Sequence, residues 1–211
     1  MVDQGRAPTP AIAADQLEGR WFSLVPLNPN HHVPLFELSH REQNNFRWRF
    51  RGVIPSAAAF EQSIYAGVLT QFAIVPKDRP NQFAGLVVAY NASPQDAYCY
   101  LGAVTDPKFG SGTIEGVALF LRYLFRHWPF RKVYLEVAQY NVTQYESATR
   151  LGVMKEEARL KDHIYFDNQY WDQMLFAIYR ESAEEYTTRL PNLFLGSDLG
   201  SSEVDPSNDG G

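Results

Sequence analysis

One cysteine, Cys99, and three methionines hold all the sulfur in this chain of 211 residues. A lone thiol excludes a disulfide framework and any cysteine-rich zinc site. No apolar run approaches the ~18 residues that a membrane-spanning helix needs. Met1 to Gln16 carries Asp3 and no sustained apolar segment, so it does not read as a secretory signal and the expectation is a cytoplasmic protein. On that expectation the triplets Asn91-Ala92-Ser93 and Asn141-Val142-Thr143 are not glycosylation sites. Positive charge is scarce too, with 19 Lys and Arg against 24 Asp and Glu. Asp198, Glu203, Asp205 and Asp209 carry most of the net charge of -5 and all lie within Gly196 to Gly211, so the body is close to neutral. A body without a basic stripe argues against duplex nucleic acid as a partner, because phosphate neutralisation supplies most of that affinity.

What the chain has is a core's worth of apolar residues, 45% of the total, between two polar ends. Residues 1–16 are expected to be flexible and 191–211 to form a disordered acidic tail, since neither buries enough apolar surface to offset its ordering entropy. That leaves 17–190 as one domain. Within it, Trp21 to Val25 reads as a strand closed by Pro26, Pro34 to Glu42 as a helix, and Ala57 to Ala66 as a helix capped by Ser56. Gln71 to Val75, Phe83 to Tyr90 and Ala97 to Val104 are strand-like and separated by turn residues, which fits three antiparallel strands. Ile114, Val117, Ala118, Leu121, Leu124 and Phe125 recur at helical spacing after the turn Asp106 to Gly112, and Lys132 to Ala138 is a buried strand. A strand, a helix and a strand imply a parallel pair. A short helix from Asn141 to Gly152 and strands over about Ala158 to Phe166 and Tyr170 to Tyr179 complete an α+β mixed sheet.

A strand running into a Gly-rich turn that opens an amphipathic helix aims several N–H groups and the positive end of the helix dipole at one point, which suits a phosphate. Gly110 and Gly112 let the backbone approach an anion, and Lys108 adds a point charge. A plain helix-start turn is the competing account, because neither of the familiar dinucleotide or nucleotide glycine motifs is present.

Val104-Thr105-Asp106-Pro107-Lys108 into this turn, the helix Thr113 to His127, Leu135-Glu136-Val137 before Asn141, and the run from Arg159 to Glu181 together resemble the GNAT superfamily of N-acyltransferases. The similarity is to its ribosomal-protein, antibiotic and polyamine branch, and it extends over roughly Arg20 to Glu181. It implies a mixed, mostly antiparallel sheet, splayed between its fourth and fifth strands and flanked by helices. Pantetheine would lie in the gap and the pyrophosphate on the turn. The resemblance further implies acetyl-CoA or another acyl-CoA as donor, no metal, and a primary amine on a small molecule or peptide as acceptor. The family's [RQ]-x-x-G-x-[GA] pattern falls on Lys108, Ser111 and Thr113, so only the charge is retained. That departure keeps open an acyl-carrier-protein or aminoacyl-tRNA donor, or a non-catalytic binding module.

Amide groups near Gly102, Ala103 and Val104 are candidates for the oxyanion and pantetheine, the alternative being an ordinary bulge. Asn141 matches the family's Asn after the fifth strand, and a capping role is the alternative. Gln144 stands where this branch often has Ser, and Ala148 where other branches carry a proton-donating Tyr. Tyr145, Tyr165 or water would then serve the leaving thiolate, itself a good leaving group. Glu136 is the candidate general base, with strand alternation deciding whether it faces the gap. Asp162, His163 and Asp172 surround the last hairpin, and His31-His32 lack metal spacing. Cys99 reads as an inert core residue. Phe46, Trp48 and Phe50, interleaved with Arg47, Arg49 and Arg51, either line the acceptor site, stack bases or alternate on an edge strand.

Overall fold

The structure, a computed structural model, describes residues 17–41 and 53–195. The aromatic and arginine stretch over 46–51 lies outside the described residues, as do 1–16 and the acidic residues of 196–211. Seven strands form one sheet, β1 (Phe22–Pro26), β2 (Val68–Pro76), β3 (Gly85–Ser93), β4 (Tyr98–Thr105), β5 (Lys132–Ala138), β6 (Lys155–Phe166) and β7 (Gln169–Tyr179). Their order is β1-β2-β3-β4-β5-β7-β6, antiparallel except for the parallel β4–β5 pair. The helices are α1 (His32–His40), α2 (Ala57–Ser63), α3 (Ile114–His127), α4 (Glu146–Arg150) and α5 (Arg180–Leu195). Two 3-10 segments, Pro107–Thr113 and Gln139–Tyr145, lead into α3 and α4.

Each sheet face carries its own core. Under α3, the residues Leu119, Phe120 and Leu124 pack on Ile74, Cys99, Leu101 and Val133. On the opposite face, α1 and α2 bring Leu35, Leu38 and Phe60 onto Ala73, Val75, Leu86 and Val104. β3 is buried continuously from Gly85 to Ala89 because both of its faces are covered, whereas β6 is exposed at nearly every position because it is the sheet's edge. The Arg180 guanidinium donates to the carbonyls of Phe125, Trp128 and Phe130, which satisfies groups that the end of α3 leaves without intrahelical partners.

Three sequence expectations change. The helix expected from Asn141 begins as 3-10, and its N-cap is Ala138 rather than Asn141. A helix, α5, follows Tyr179 where the sequence pattern predicts none, and it continues to Leu195, past the expected start of the tail at 191. Its Ala183 is buried in the core under α3, contact that the local pattern does not announce. The helix expected over Pro34 to Glu42 runs over His32–His40, and Arg41 has left helical conformation to reach Asp106.

Candidate active site

β4 and β5 are paired over three positions only, Tyr98↔Lys132, Cys99↔Val133 and Tyr100↔Tyr134. Beyond Tyr100, β4 keeps its register with β3 to Thr105, and β5 keeps its register with β7 to Ala138. The two central strands therefore part company in mid-sheet, as the splayed sheet of the sequence reading requires.

Hydrogen bonds just outside the strands fix which backbone groups face the opening. Asp106 N–H donates to Ala84 O at 2.8 Å, in register with Gly85↔Thr105. In an antiparallel pair every second residue turns both of its backbone groups to the partner, so Val104 and Gly102 bond to β3. Ala103 and Thr105 then turn their N–H and C=O toward the gap. On the other side, Arg180 N–H donates to Arg131 O at 3.0 Å, in register with Lys132↔Tyr179, which turns the backbone of Glu136 and Ala138 into the gap. Of the three amides expected there, Ala103 alone presents itself. Gly102 contributes the space of a missing side chain.

A cavity of about 390 Å³ occupies this opening. Leu101, Gly102, Ala103, Leu135, Glu136 and Ala138 line it from the parted strands, Val88 and Tyr90 from β3, Ile164 and Gln173 from β6 and β7, and Tyr140 and Tyr145 from the 3-10 segment. Glu136 is the one charged residue in the lining. Its Oε1 accepts from Gln173 Nε2 at 3.0 Å and its Oε2 faces Tyr90 Oη at 3.5 Å. Strand alternation thus resolves in favour of the gap. Tyr100 lies next to this carboxylate, and burial, then the Glu136 charge, then its neighbours Tyr98 and Tyr134 push its phenol above the ordinary range. Burial pushes the Cys99 thiol up to about 12, a value that suits a core residue and not a nucleophile.

The Gly-rich turn follows β4 directly. Gly110 has φ 63 and ψ -162, a backbone state essentially restricted to glycine. A Cβ on Gly112 would sit 3.2 Å from the Phe22 ring. Thr113 is buried and its Oγ1 donates to Gly110 O at 3.0 Å. Asp106 governs the entry to the turn: it is buried, accepts from Lys108 N–H at 3.1 Å, and pairs with Arg41 at 2.9 Å and with Lys108 Nζ at 3.3 Å. Burial alone would raise its carboxyl, but the Lys108 N–H and the Arg41 and Lys108 side chains outweigh that and hold it below the usual range. Two amides at the turn's start are thus engaged within the protein, that of Lys108 by this carboxylate and that of Phe109 by Asp106 O at 3.1 Å. Gly110, Ser111, Gly112 and Thr113 lead into α3.

Other expected residues stand apart from the cavity. Tyr165 is 60% exposed at the hairpin end, against Tyr170, with its hydroxyl on Asn168 Oδ1 at 3.0 Å, so the structure removes it from the opening. Asn141 is buried within the 3-10 segment and accepts from Gln144 Nε2 at 2.6 Å; it and Gln144 border the segment that carries Tyr140 and Tyr145. Asp172 is buried at the last hairpin with Lys161 at 2.7 Å. Tyr90, Tyr140 and Gln173 were missed. Each ends or interrupts an apolar run, and only the sheet register brings β3, β7 and the 3-10 segment after β5 to one opening.

No protein-family model and no curated protein sequence matches the chain. Solved structures do. A spermidine N-acetyltransferase from Vibrio cholerae, in complex with CoA and spermine, superposes with TM-score 0.66 at 16% identity, over 79% of this chain and 99% of that one. A ribosomal-protein alpha-N-acetyltransferase in complex with coenzyme A gives TM-score 0.65 at 15% identity, over 78% and 97%. A GCN5-related N-acetyltransferase from Brucella melitensis gives TM-score 0.65 at 21% identity, over 86% of each chain. The chain has the fold of the GNAT acetyltransferases.

Proposed function

We propose that this protein is an N-acyltransferase that moves an acyl group, in the simplest case acetyl, from acyl-CoA to a primary amine by direct attack. The observation that carries the reading is the end of β4–β5 pairing at Tyr100↔Tyr134, which leaves gap-facing backbone on Ala103 and a carboxylate on Glu136 at one cavity. A pantetheine arm is a chain of amides, and the free edge of β4 offers it hydrogen bonds in place of the missing strand. The diphosphate end falls toward Gly110 to Thr113, at the start of α3.

The amine nitrogen forms a bond to the thioester carbon, the C–S bond breaks, and CoA leaves as a thiolate. Ala103 N–H faces the developing oxyanion. Glu136, held by Gln173, takes the proton that the amine loses, and Tyr145, lining the cavity, donates toward the sulfur.

One observation favours a second reading. Lys108, the only pyrophosphate-pattern charge retained, is tied to buried Asp106. A donor that needs no diphosphate contact, pantetheine on an acyl-carrier protein or an aminoacyl-tRNA, suits such a turn. A thermal-shift titration separates the readings: acetyl-CoA at ~100 times its Kd adds about 2.7 kcal/mol of stability. A melting point unmoved by any acyl-CoA, with product formed from a charged carrier, replaces the first reading with the second. Donor binding without product from any amine leaves a binding module.

A further inference from the structure

On the α1 and α2 face of the sheet, Tyr90, which lines the cavity, belongs to a shelf of tyrosines. Tyr90 and Tyr100 sit opposite one another on β3 and β4, and Tyr100 stands beside Tyr134 on β5. Ring centroids are 5.7 Å apart for Tyr90–Tyr100, 5.4 Å for Tyr100–Tyr134 and 5.4 Å for Tyr98–Tyr134. All four rings are half-buried, so they present surface to solvent. The shelf is continuous with the site, because Tyr90 lines the cavity and faces Glu136, two residues along β5 from Tyr134.

Charge on this face is asymmetric. Glu136 carries a negative charge into the cavity, and its partners there, Gln173 and Tyr90, are neutral. A second carboxylate near the shelf among the described residues, Glu157, is saturated: it accepts from Lys132 Nζ at 2.7 and 3.0 Å, from Tyr134 Oη at 2.8 Å and from Tyr179 Oη. Those contacts fill the four acceptor sites of a carboxylate. Among the described residues, a polycation lying along the shelf would therefore find one unpaired anionic anchor, since Glu157 and Lys132 neutralise each other. A single ammonium at Glu136 followed by a flat apolar body matches what is there, because tyrosine faces attract the positive edge of another ring.

We propose that the acceptor is a monoamine on an aromatic or heteroaromatic body, its ring on the Tyr90–Tyr100–Tyr134 shelf and its amine at Glu136. This rests on the acyl-transfer reading and narrows it to one substrate class. The test is CoA-thiol release by the full-length protein from acetyl-CoA with phenethylamine, 2-cyclohexylethylamine, spermidine or a short peptide with a free N-terminus. Phenethylamine has the highest kcat/KM, and Tyr100→Leu raises its KM about three- to tenfold with kcat unchanged, the loss of one ring pair. Tyr100→Phe keeps the wild-type KM. If Tyr100→Leu fails to fold, Tyr90→Leu makes the same test on KM alone, because its hydroxyl faces Glu136 and kcat is free to change. Equal or better turnover of spermidine, the saturated amine or the peptide overturns the inference, and so does an unchanged KM in the leucine variant. Acetyl-CoA binding measured alongside tells the failures apart: donor binding with no use of the arylamine sinks the substrate class alone, whereas no donor binding sinks the transferase reading and the substrate class with it.

Discussion

The two ends of the β4–β5 pair are built from similar residues and behave in opposite ways. At the closed end, Tyr98 to Tyr100 pair with Lys132 to Tyr134 of β5, and Glu157 ties Lys132, Tyr134 and Tyr179 together over the seam. At the open end, Leu101 to Thr105 and Leu135 to Ala138 have only their outer neighbours, β3 and β7. Closed pairing consumes backbone groups; parting the strands presents them. On the proposed reading, the site for an amide-rich donor lies where the sheet stops bonding to itself.

Substitutions that break one end and spare the other sharpen this contrast. The largest effect is expected at Gly85, which holds β4's open end to β3. A Cβ there meets Val104 O at 2.4 Å. Gly85→Ala is expected to lower stability by about 3 kcal/mol, the upper part of the overpacking range, and to abolish acetyl-CoA protection in a thermal-shift assay. Retained protection would show that the open edge of β4 is not the donor's partner.

Glu136→Gln leaves the hydrogen-bonded frame and removes the proposed base, so kcat should fall by roughly a hundredfold while the melting point stays within about 0.5 kcal/mol equivalents of wild type. Raising the pH should partly restore its rate, as more amine is uncharged. A smaller change is expected at the closed end. Burial raises the Glu157 carboxyl, but Lys132, Tyr179 and Tyr134 outweigh it, so it titrates below its ordinary value; Lys132, although burial lowers it, is raised by Glu157 and Tyr134. The carboxylate's share of stability is present above its unfolded pKa of about 4.3 and is lost as pH falls through the lower folded value. The lysine's share is present below about 10.4 and is lost as pH rises through the raised folded value. Glu157→Gln should cost about 1 kcal/mol at neutral pH and flatten both arms of a melting-point profile. A profile identical to wild type would mean that the clamp holds nothing. The smallest effect belongs to Tyr165→Phe, for which steady-state kinetics should be unchanged, since among the described residues its hydroxyl meets Asn168 alone.

Much of the fold could be read along the chain, for local reasons. The helical spacing from Ile114 to Phe125 and the alternation over β5 are patterns of single elements, and α3 and β5 lie where those patterns put them. The helix α5 was missed because its evidence is a distant contact, Ala183 in the core under α3. For the site, Glu136, Gly102 and Ala103 line the cavity as the sequence suggested, while Tyr165 does not. Residue type and spacing could nominate both tyrosines, Tyr145 and Tyr165, equally well. Only the course of β6 and β7 separates them, since the hairpin carries Tyr165 out to solvent.

Composition and local periodicity determined that this chain has a core, which segments become strands or helices, and that a glycine turn precedes α3, because each of those depends on neighbours a few residues apart. The phase of the β4 ladder, which turns Ala103 to the gap and Gly102 and Val104 to β3, was decided by tertiary structure alone, as was the meeting of Glu136, Tyr90 and Gln173. These residues come from three strands far apart in sequence. Register across a sheet is set by the pairing of whole strands, and no short window of sequence contains it.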